Sequence, residues 1–160
     1  MKARTKSVAA GRRSVTPYLI VKGAAEAIEF YKKAFGAVPS MEPLIHSDGR
    51  VGHAELKIGD SGIMLADEFP EMDAHGPASN GGSPVSLHLY VDDVDKTARR
   101  VTDAGGTVKR PVQDQFYGDR TGTFVDPFGH VWHVATHIED VEPAELKRRA
   151  AEAMKQCAAS

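Results

Sequence analysis

The chain has 160 residues, of which 41% are hydrophobic and 26% are charged, and its formal net charge is −2. A chain of this length can bury a sufficient core without disulfides or a structural metal. The nearly balanced charge gives no reason to expect nucleic acid or an anionic membrane surface as a partner. The single cysteine, Cys157, excludes an intrachain disulfide and a cysteine-based metal site.

The two ends of the chain differ in composition from the middle. Residues 1–14 are basic and lack the apolar run of a secretory signal, so we expect a disordered tail. Residues 142–160 are rich in Ala, Glu, Lys and Arg, and Pro143 suits a first helical turn, which predicts an extra C-terminal helix. No segment approaches ~20 consecutive apolar residues. We therefore expect a cytoplasmic protein that does not engage a membrane.

The first half of the chain is predicted to contain a strand, a helix and then two or three strands. Residues 15–21, VTPYLIV, are rich in β-branched and aromatic side chains. Residues 24–35 carry apolar side chains at helical spacing, and Gly36 ends the pattern. Residues 51–59 alternate polar and apolar side chains, and a short turn leads into the strand IMLAD, residues 63–67.

The second half repeats this order of elements. Residues 85–91, VSLHLYV, favour a strand, and residues 94–104 favour a helix that ends at two glycines. A short strand, TVKRPV, precedes a predicted hairpin that joins residues 120–125 to residues 130–137. We interpret this as structural repetition at a period of roughly 70 residues. A single α+β domain with unrelated halves remains the alternative.

A segment dense in Gly, Pro, Ser and Asn separates the two halves. It covers residues 69–83 and is interpreted as a linker or lid loop without elements of its own.

Strand alternation sorts the side chains of the predicted strands onto two faces. One face is aliphatic, as a face covered by helices should be, and it includes Trp132 as a core residue. The other face carries hydroxyls, imidazoles and aromatic rings, whereas a solvated face would carry more Lys, Glu and Arg. We therefore predict that the mixed face lines a semi-polar cavity.

Four segments together resemble the vicinal oxygen chelate superfamily, the fold of glyoxalases, bleomycin-resistance proteins and dioxygenases, and within it the PhnB-like branch. They are YLIVKGAAEAIEFYKKAFGA, HAELKIGDSGIMLADE, LHLYVDDVDKTARRVTDAGG and GDRTGTFVDPFGHVWHVATHIED. The resemblance covers residues 15–141. It implies an α+β fold of two βαβββ modules, residues 15–68 and 84–141, whose curved sheets enclose a ligand cavity. It also implies a homodimer.

The resemblance places the superfamily's usual metal ligands at four positions of this chain: Thr16, Met64, Ser86 and His133. Only His133 is a competent ligand for a divalent ion, and a catalytic metal ordinarily needs about three protein ligands. We therefore predict no metal at these positions and no cofactor. A displaced metal site remains the alternative, with the candidates His53, Glu55, His88 and His133.

Without a metal, acid–base chemistry is assigned to His133 and Glu55. The ligand-binding candidates lie on the mixed face or in the loop that the implied fold places over the cavity: Thr16, Tyr18, His53, Met64, Ser86, His88, Tyr90, Tyr117 and Arg120. Arg120 can pair with a ligand carboxylate or phosphate, or with Asp119 or Asp126 in a structural role.

These observations predict a small-molecule-binding protein that lacks the standard metal tetrad, whose ligand the sequence does not name. One alternative is a lyase or isomerase that uses a displaced metal or a histidine base. A second is a resistance protein that sequesters an antibiotic. The sequence leaves open whether the chain is an enzyme. The expected partners are a small molecule and a second copy of the chain.

Overall fold

The computed structural model describes residues 7–158, with side chains up to residue 156. The chain forms two compact units that divide between Ser83 and Pro84. Each unit is built on one β-sheet with a helix packed against it.

The first unit contains the longer series of elements. Its sheet has the strand order β1-β5-β4-β2, with β3 paired to β4. Strands β1 and β5 are parallel, and the other pairs are antiparallel. The elements are β1 (Tyr18–Val21), α1 (Ala24–Phe35), β2 (Val38–Pro39), β3 (Leu44–Ile45), β4 (Val51–Ile58), β5 (Ser61–Asp67), a 3-10 turn (Pro70–Met72) and α2 (Pro77–Asn80).

Helix α1 has the bounds that its apolar spacing predicts. It packs against β1, β4 and β5 and buries most of its apolar side chains there. Gly36 ends it with φ 67°, a left-handed conformation that favours glycine. Asp67 fixes its start, because one carboxylate oxygen accepts from Gly23 N at 2.9 Å and Ala24 N at 2.8 Å. The other oxygen accepts from Val51 N at 2.7 Å, which ties the helix to β4.

The second unit repeats the topology of the first. Its sheet has the order β6-β9-β8-β7, with β6 parallel to β9, and α3 packs against β7, β8 and β9. The parallel first and last strands and the packed helix match the first unit, so the predicted repetition is confirmed. The elements are β6 (Ser86–Tyr90), α3 (Val94–Asp103), β7 (Thr107–Asp114), β8 (Asp119–Val125), β9 (Val131–His137) and α4 (Pro143–Ala158).

The segment Asp-Pro-Phe-Gly-His-Val-Trp forms the turn between β8 and β9. One carboxylate oxygen of Asp126 accepts from Phe128 N at 3.0 Å and His130 N at 2.9 Å. The other accepts from Trp132 Nε1 at 2.9 Å. Asp126 and Trp132 are almost fully buried, so Trp132 is a core residue as predicted. Asp126 therefore organises this turn and connects it to the core through Trp132.

Several element bounds differ from the sequence prediction. Strand β1 begins at Tyr18 rather than at residue 15, because Pro17 has no N–H to donate to the sheet. The carbonyl of Pro17 still accepts from Met64 N at 2.9 Å. The prediction that residues 69–83 contain no element is wrong, since they form a 3-10 turn and a short helix.

The ends of the chain are described in part. Residues 1–6 of the predicted disordered tail lie outside the described residues. Residues 7–14 precede β1, and the guanidinium of Arg12 is paired with Glu55. The C-terminal helix is present as α4. None of the helices within residues 7–158 is long and apolar enough to cross a membrane.

Candidate functional site on the open sheet faces

The strand register places chemically different residues at equivalent positions in the two units. In the second sheet, a row of partners crosses all four strands: His88, His133, Thr123 and Arg110. In the first sheet, the equivalent row crosses β1, β5 and β4: Tyr18, Met64 and Glu55. Met64 is therefore the counterpart of His133, on the sheet face that lies opposite the packed helix in each unit. We call this the open face.

His133 is held by two hydroxyl groups on the open face of the second sheet. Its Nε2 lies 3.1 Å from Ser86 Oγ, and its Nδ1 lies 3.0 Å from Thr123 Oγ1. Ser86 is exposed and Thr123 is buried, with 5% of its surface exposed. The imidazole is therefore held between the two strands that flank β9, by the buried Thr123 on β8 and the exposed Ser86 on β6.

The surroundings of His133 favour its uncharged form. Burial lowers its pKa below the ordinary value of 6.5, and the positive charges of His88, Arg110 and Lys109 lower it further. A neutral imidazole has one nitrogen that donates and one that accepts a hydrogen bond. His133 can therefore offer either function to a ligand at neutral pH.

Three rings lie next to one another along the same face. The ring centroids of His88 and Tyr90 are 4.8 Å apart, and those of His88 and His133 are 6.2 Å apart with an angle of 29° between the planes. Tyr90 is 60% exposed, and His88 is exposed as well. These rings offer a surface on which a planar ligand can stack.

A second polar cluster lies at the other end of β9. Tyr90 Oη donates to Asp119 Oδ2 at 2.7 Å, and His137 Nδ1 lies 2.8 Å from Asp119 Oδ1. His137 Nε2 lies 2.9 Å from Asp140 Oδ1. Hydrogen bonds to Asp119 and Asp140 raise the pKa of His137. Burial alone raises the pKa of Asp119, but hydrogen bonds from His137 and Tyr90 outweigh it and leave the pKa low.

Thr121 lies on the open face of β8, between Thr123, which contacts His133, and Asp119, which contacts His137. It is the register partner of Ala135, and 8% of its surface is exposed. Among the buried side-chain nitrogen and oxygen atoms of the described residues, only Thr121 Oγ1 has no hydrogen-bond partner.

The open face of the first sheet carries a chain of hydrogen bonds that ends on an arginine. Tyr18 Oη lies 2.8 Å from His53 Nδ1, and His53 Nε2 lies 3.0 Å from Glu55 Oε1. The other oxygen of Glu55 pairs with Arg12. Hydrogen bonds from Arg12 and His53 lower the pKa of Glu55. Because the carboxylate is stabilised as an anion, Glu55 is a weaker base than a free glutamate.

A cavity of about 710 Å³ lies beside this chain within the first unit. Residues 10–13 form one wall, and the sheet forms another through Glu55 and Lys57. The side chain of Arg12 therefore connects the N-terminal segment to the open face of the first sheet.

The donors at the superfamily's usual metal positions do not fit a divalent catalytic ion. Thr16 and Ser86 supply neutral hydroxyls, and Met64 supplies a thioether, which is a soft ligand. Of the displaced candidates, His53 and Glu55 are hydrogen-bonded to each other in the first unit, and His88 and His133 are ring neighbours in the second. Within the described part of the chain, no group of three or more His, Cys, Asp or Glu side chains could hold a metal ion.

Two further predicted ligand residues lie outside the His133 cluster. Arg120 alternates with Asp119 and Thr121 and so lies on the face toward α3, where its guanidinium pairs with Asp95 at 2.8 and 2.9 Å and with Asp114 at 2.8 Å. These partners were not suggested by the sequence, and they give Arg120 a structural role. Tyr117 lies in the loop between β7 and β8 and is 39% exposed. The ligand-binding role of both residues stays a prediction.

Arg12, Thr123 and Asp119 were missed as site residues. Each acts through a partner elsewhere in the sequence: 43 residues away for Arg12 and Glu55, 18 for Asp119 and His137, and 10 for Thr123 and His133. Thr123 alternates with hydrophobic Phe124 and resembles an ordinary strand residue. Only the pairing of β8 with β9 identifies its hydroxyl as a partner of His133.

The fold and the sequence both match one superfamily. The sequence model of the Glyoxalase/Bleomycin resistance protein/Dioxygenase superfamily matches residues 13–134. The chain belongs to this superfamily. The uncharacterized protein Rv0887c of Mycobacterium tuberculosis is 41% identical over 137 residues, which cover 84% of this chain and 80% of that protein.

Two solved structures of the superfamily fold are similar to this chain. The Arabidopsis thaliana gene product At5g48480 is 27% identical with a TM-score of 0.61, covering 77% of this chain and 98% of that one. The PhnB protein of Bacillus cereus is 18% identical with a TM-score of 0.58, covering 78% and 99%. The second likeness shows the fold alone. The predicted superfamily is thus confirmed, while the chemistry depends on the residues of this chain.

Proposed function

We propose that this protein binds a small organic molecule on the open face of the second sheet, around His133. The observation that supports it best is the His133 cluster itself, an uncharged imidazole held between an exposed and a buried hydroxyl. A side chain that serves only the core would not be partly exposed and bonded to a surface serine. The other groups on this face, His88 and Tyr90, are also exposed.

The residues favour a planar ligand that carries an acidic group. His88 and Tyr90 offer ring surfaces for stacking, and Ser86 and His133 offer hydrogen bonds to a carbonyl or hydroxyl. Arg110 ends the row that begins at His88, and its positive charge acts on His133. A carboxylate or sulfonate on the ligand would pair favourably with this arginine.

The proposal is tested with anilinonaphthalene sulfonate, an aromatic anion that has a naphthalene ring able to stack and that fluoresces on binding. We expect saturable fluorescence, with shifts in proton–nitrogen correlation spectra concentrated at His88, Tyr90 and His133. His88→Ala should weaken binding roughly 10-fold, as expected for the loss of about 1.4 kcal/mol of stacking. His46→Ala is the matched control, because His46 is an exposed histidine of the first unit that lies beside Asp48.

Shifts spread over the whole protein, or an equal effect of the two substitutions, would contradict the proposal.

The other expectations remain predictions. They are the cytoplasmic location, the homodimer, and the two alternative functions: antibiotic sequestration, and lyase or isomerase chemistry that uses a displaced metal or a histidine base. The candidates for the displaced metal site already contact one another in two pairs, His53 with Glu55 and His88 with His133.

A further inference from the structure

The open face of the second sheet holds three side chains arranged as a nucleophile, a general base and a group that orients the base. They are Ser86, His133 and Thr123. Ser86 Oγ is exposed on β6 and lies 3.1 Å from His133 Nε2, within hydrogen-bond distance of a proton acceptor. Thr123 Oγ1 lies 3.0 Å from the opposite ring nitrogen. Activated serines are recognised by this relation between a hydroxyl, a base and a third group that orients the base.

The third group decides which nitrogen of His133 carries the proton. When Nδ1–H donates to Thr123 Oγ1, the lone pair of Nε2 points at Ser86 and can accept its proton. Thr123 is buried, and its backbone is fixed because β8 pairs with β9. Its hydroxyl therefore holds the His133 ring in one orientation. The depressed pKa of His133 keeps the imidazole unprotonated at neutral pH.

Two cations lie on β7, at the opposite edge of the sheet from the strand that carries Ser86. Arg110 lies in the same row as Thr123 and His133, and Lys109 precedes it. Their positive charges favour the uncharged form of His133, which is the form that can accept a proton from Ser86.

We propose that Ser86 is a nucleophile toward activated carboxylic esters, with His133 as its general base and Thr123 as a positioning residue. The proposal rests on the proposed function, because it uses the same open face, and it names the chemical class of one substrate. Esters that carry an acidic group far enough from the carbonyl to reach Arg110, three strands away on β7, fit best.

The reaction balances with water as the only co-reactant. Ser86 Oγ forms a bond to the carbonyl carbon while its proton moves to His133 Nε2. The bond from that carbon to the alkoxy oxygen then breaks, and His133 returns the proton to the departing alcohol. A water molecule attacks the acyl-serine with His133 again as base, which releases the carboxylic acid and restores Ser86.

The test uses the full chain and two probes, a fluorophosphonate and p-nitrophenyl acetate. We expect one phosphonyl adduct, located on Ser86 by peptide mass spectrometry, and release of p-nitrophenol that Ser86→Ala abolishes. His133→Gln should slow labelling of Ser86 roughly 100-fold, the typical contribution of a general base. Ser61→Ala is the control, because Ser61 is an exposed serine that donates to Asp60 and should have no effect.

Thr123→Val separates positioning from folding. The substitution removes the hydroxyl and keeps the β-branched shape, so the sheet should be retained in circular dichroism while the labelling rate falls and its pH profile shifts. Thr123→Ser should restore the rate. Ser86→Cys provides a second reporter: its thiol should react with iodoacetamide at a lower pH than an ordinary cysteine, and the added substitution His133→Gln should remove this difference.

Labelling of Ser86 no faster than that of Ser61, or labelling that is insensitive to His133→Gln, would overturn the nucleophile proposal. That result is distinguishable from failure of the binding proposal. If anilinonaphthalene sulfonate still maps to His88 and His133 while Ser86 remains unlabelled, the binding site stands and the nucleophile does not.

Discussion

Met64 occupies in the first unit the register position that His133 occupies in the second. The register partner of each residue lies on the first strand of its unit and carries an aromatic ring: Tyr18 for Met64 and His88 for His133. The two repeats therefore keep one backbone arrangement and place different chemistry on it. A thioether and an imidazole at equivalent positions do not make the pair of hard ligands that a divalent ion prefers.

The first prediction concerns metal content. Protein purified without a histidine tag should contain far less than one zinc, nickel, manganese or iron ion per chain by elemental mass spectrometry. EDTA should leave its melting temperature unchanged, because the donors at the usual positions are a threonine, a methionine, a serine and one histidine. One tightly held ion per chain together with a large loss of stability in EDTA would show that the residues are assembled differently.

The second prediction concerns His133→Ala. The side chain is partly exposed and makes two hydrogen bonds to neutral hydroxyls. Each such bond contributes about 1 kcal/mol net, so urea unfolding should show a loss of about 1–2 kcal/mol. Binding of anilinonaphthalene sulfonate should be lost far more completely. A loss of several kcal/mol of stability with binding preserved would mean that His133 is structural.

The third prediction concerns the turn between β8 and β9. Asp126 is 4% exposed and accepts from two backbone N–H groups and from the Trp132 indole. Asp126→Ala should lower the free energy of unfolding by about 3 kcal/mol, because it leaves buried donors unpaired. Asp60→Ala is the control, since that side chain is exposed at a turn and should cost less than about 0.5 kcal/mol. If the two substitutions lowered the free energy of unfolding equally in denaturant titrations, the structural role of Asp126 in this turn would be contradicted.

The fourth prediction concerns pH. The pKa of His137 is raised in the folded protein by Asp119 and Asp140, so its contribution to stability is fully present below the ordinary value of 6.5. This contribution is lost as the pH rises through the folded pKa. The difference in melting temperature between the wild type and His137→Gln should therefore be largest in mildly acidic buffer and vanish in alkaline buffer. A difference that grows with pH would have the wrong sign.

Asp119 acts in the opposite pH range. Its pKa is lowered in the folded state, so its contribution is present above the ordinary value of 3.8 and is lost as the pH falls through the folded pKa. The two groups together predict that this end of β9 is most stable at pH values between these two transitions.

The fifth prediction concerns assembly. The family resemblance implies a homodimer, and light scattering coupled to size exclusion should then give twice the 17.2 kDa chain mass. A mass of one chain at micromolar concentration would contradict the expected dimer without affecting the site on the second sheet.

The sequence predicted those parts of the fold whose signals are local. Helix α1 was predicted over its observed residues because apolar spacing and a terminal glycine define both ends. Strand β1 was predicted too long. Residues 15–21 are rich in β-branched side chains, but Pro17 has no N–H to donate to the sheet, so the strand begins at Tyr18. Strands β2 and β3 have two residues each, and no periodic pattern is detectable over so short a length.

The candidate site could be predicted only in its outline. Strand alternation indicated the face on which Ser86, His88 and His133 lie, since alternation is a local property. The contacts that define the chemistry depend on strand register. Thr123 meets His133 because β8 pairs with β9 in one register, and a shift of one residue would have placed Phe124 there.

Ligand binding at the second sheet requires an uncharged His133 that a ligand can reach from the open face. The most direct measurement is a carbon–proton NMR titration of the histidine rings, with and without saturating anilinonaphthalene sulfonate. The expected result is that His133 titrates below 6.5 and that the probe shifts its ring signals while those of His46 stay in place. A His133 that titrates at or above its ordinary value, with ring signals that the probe leaves unmoved, would contradict it.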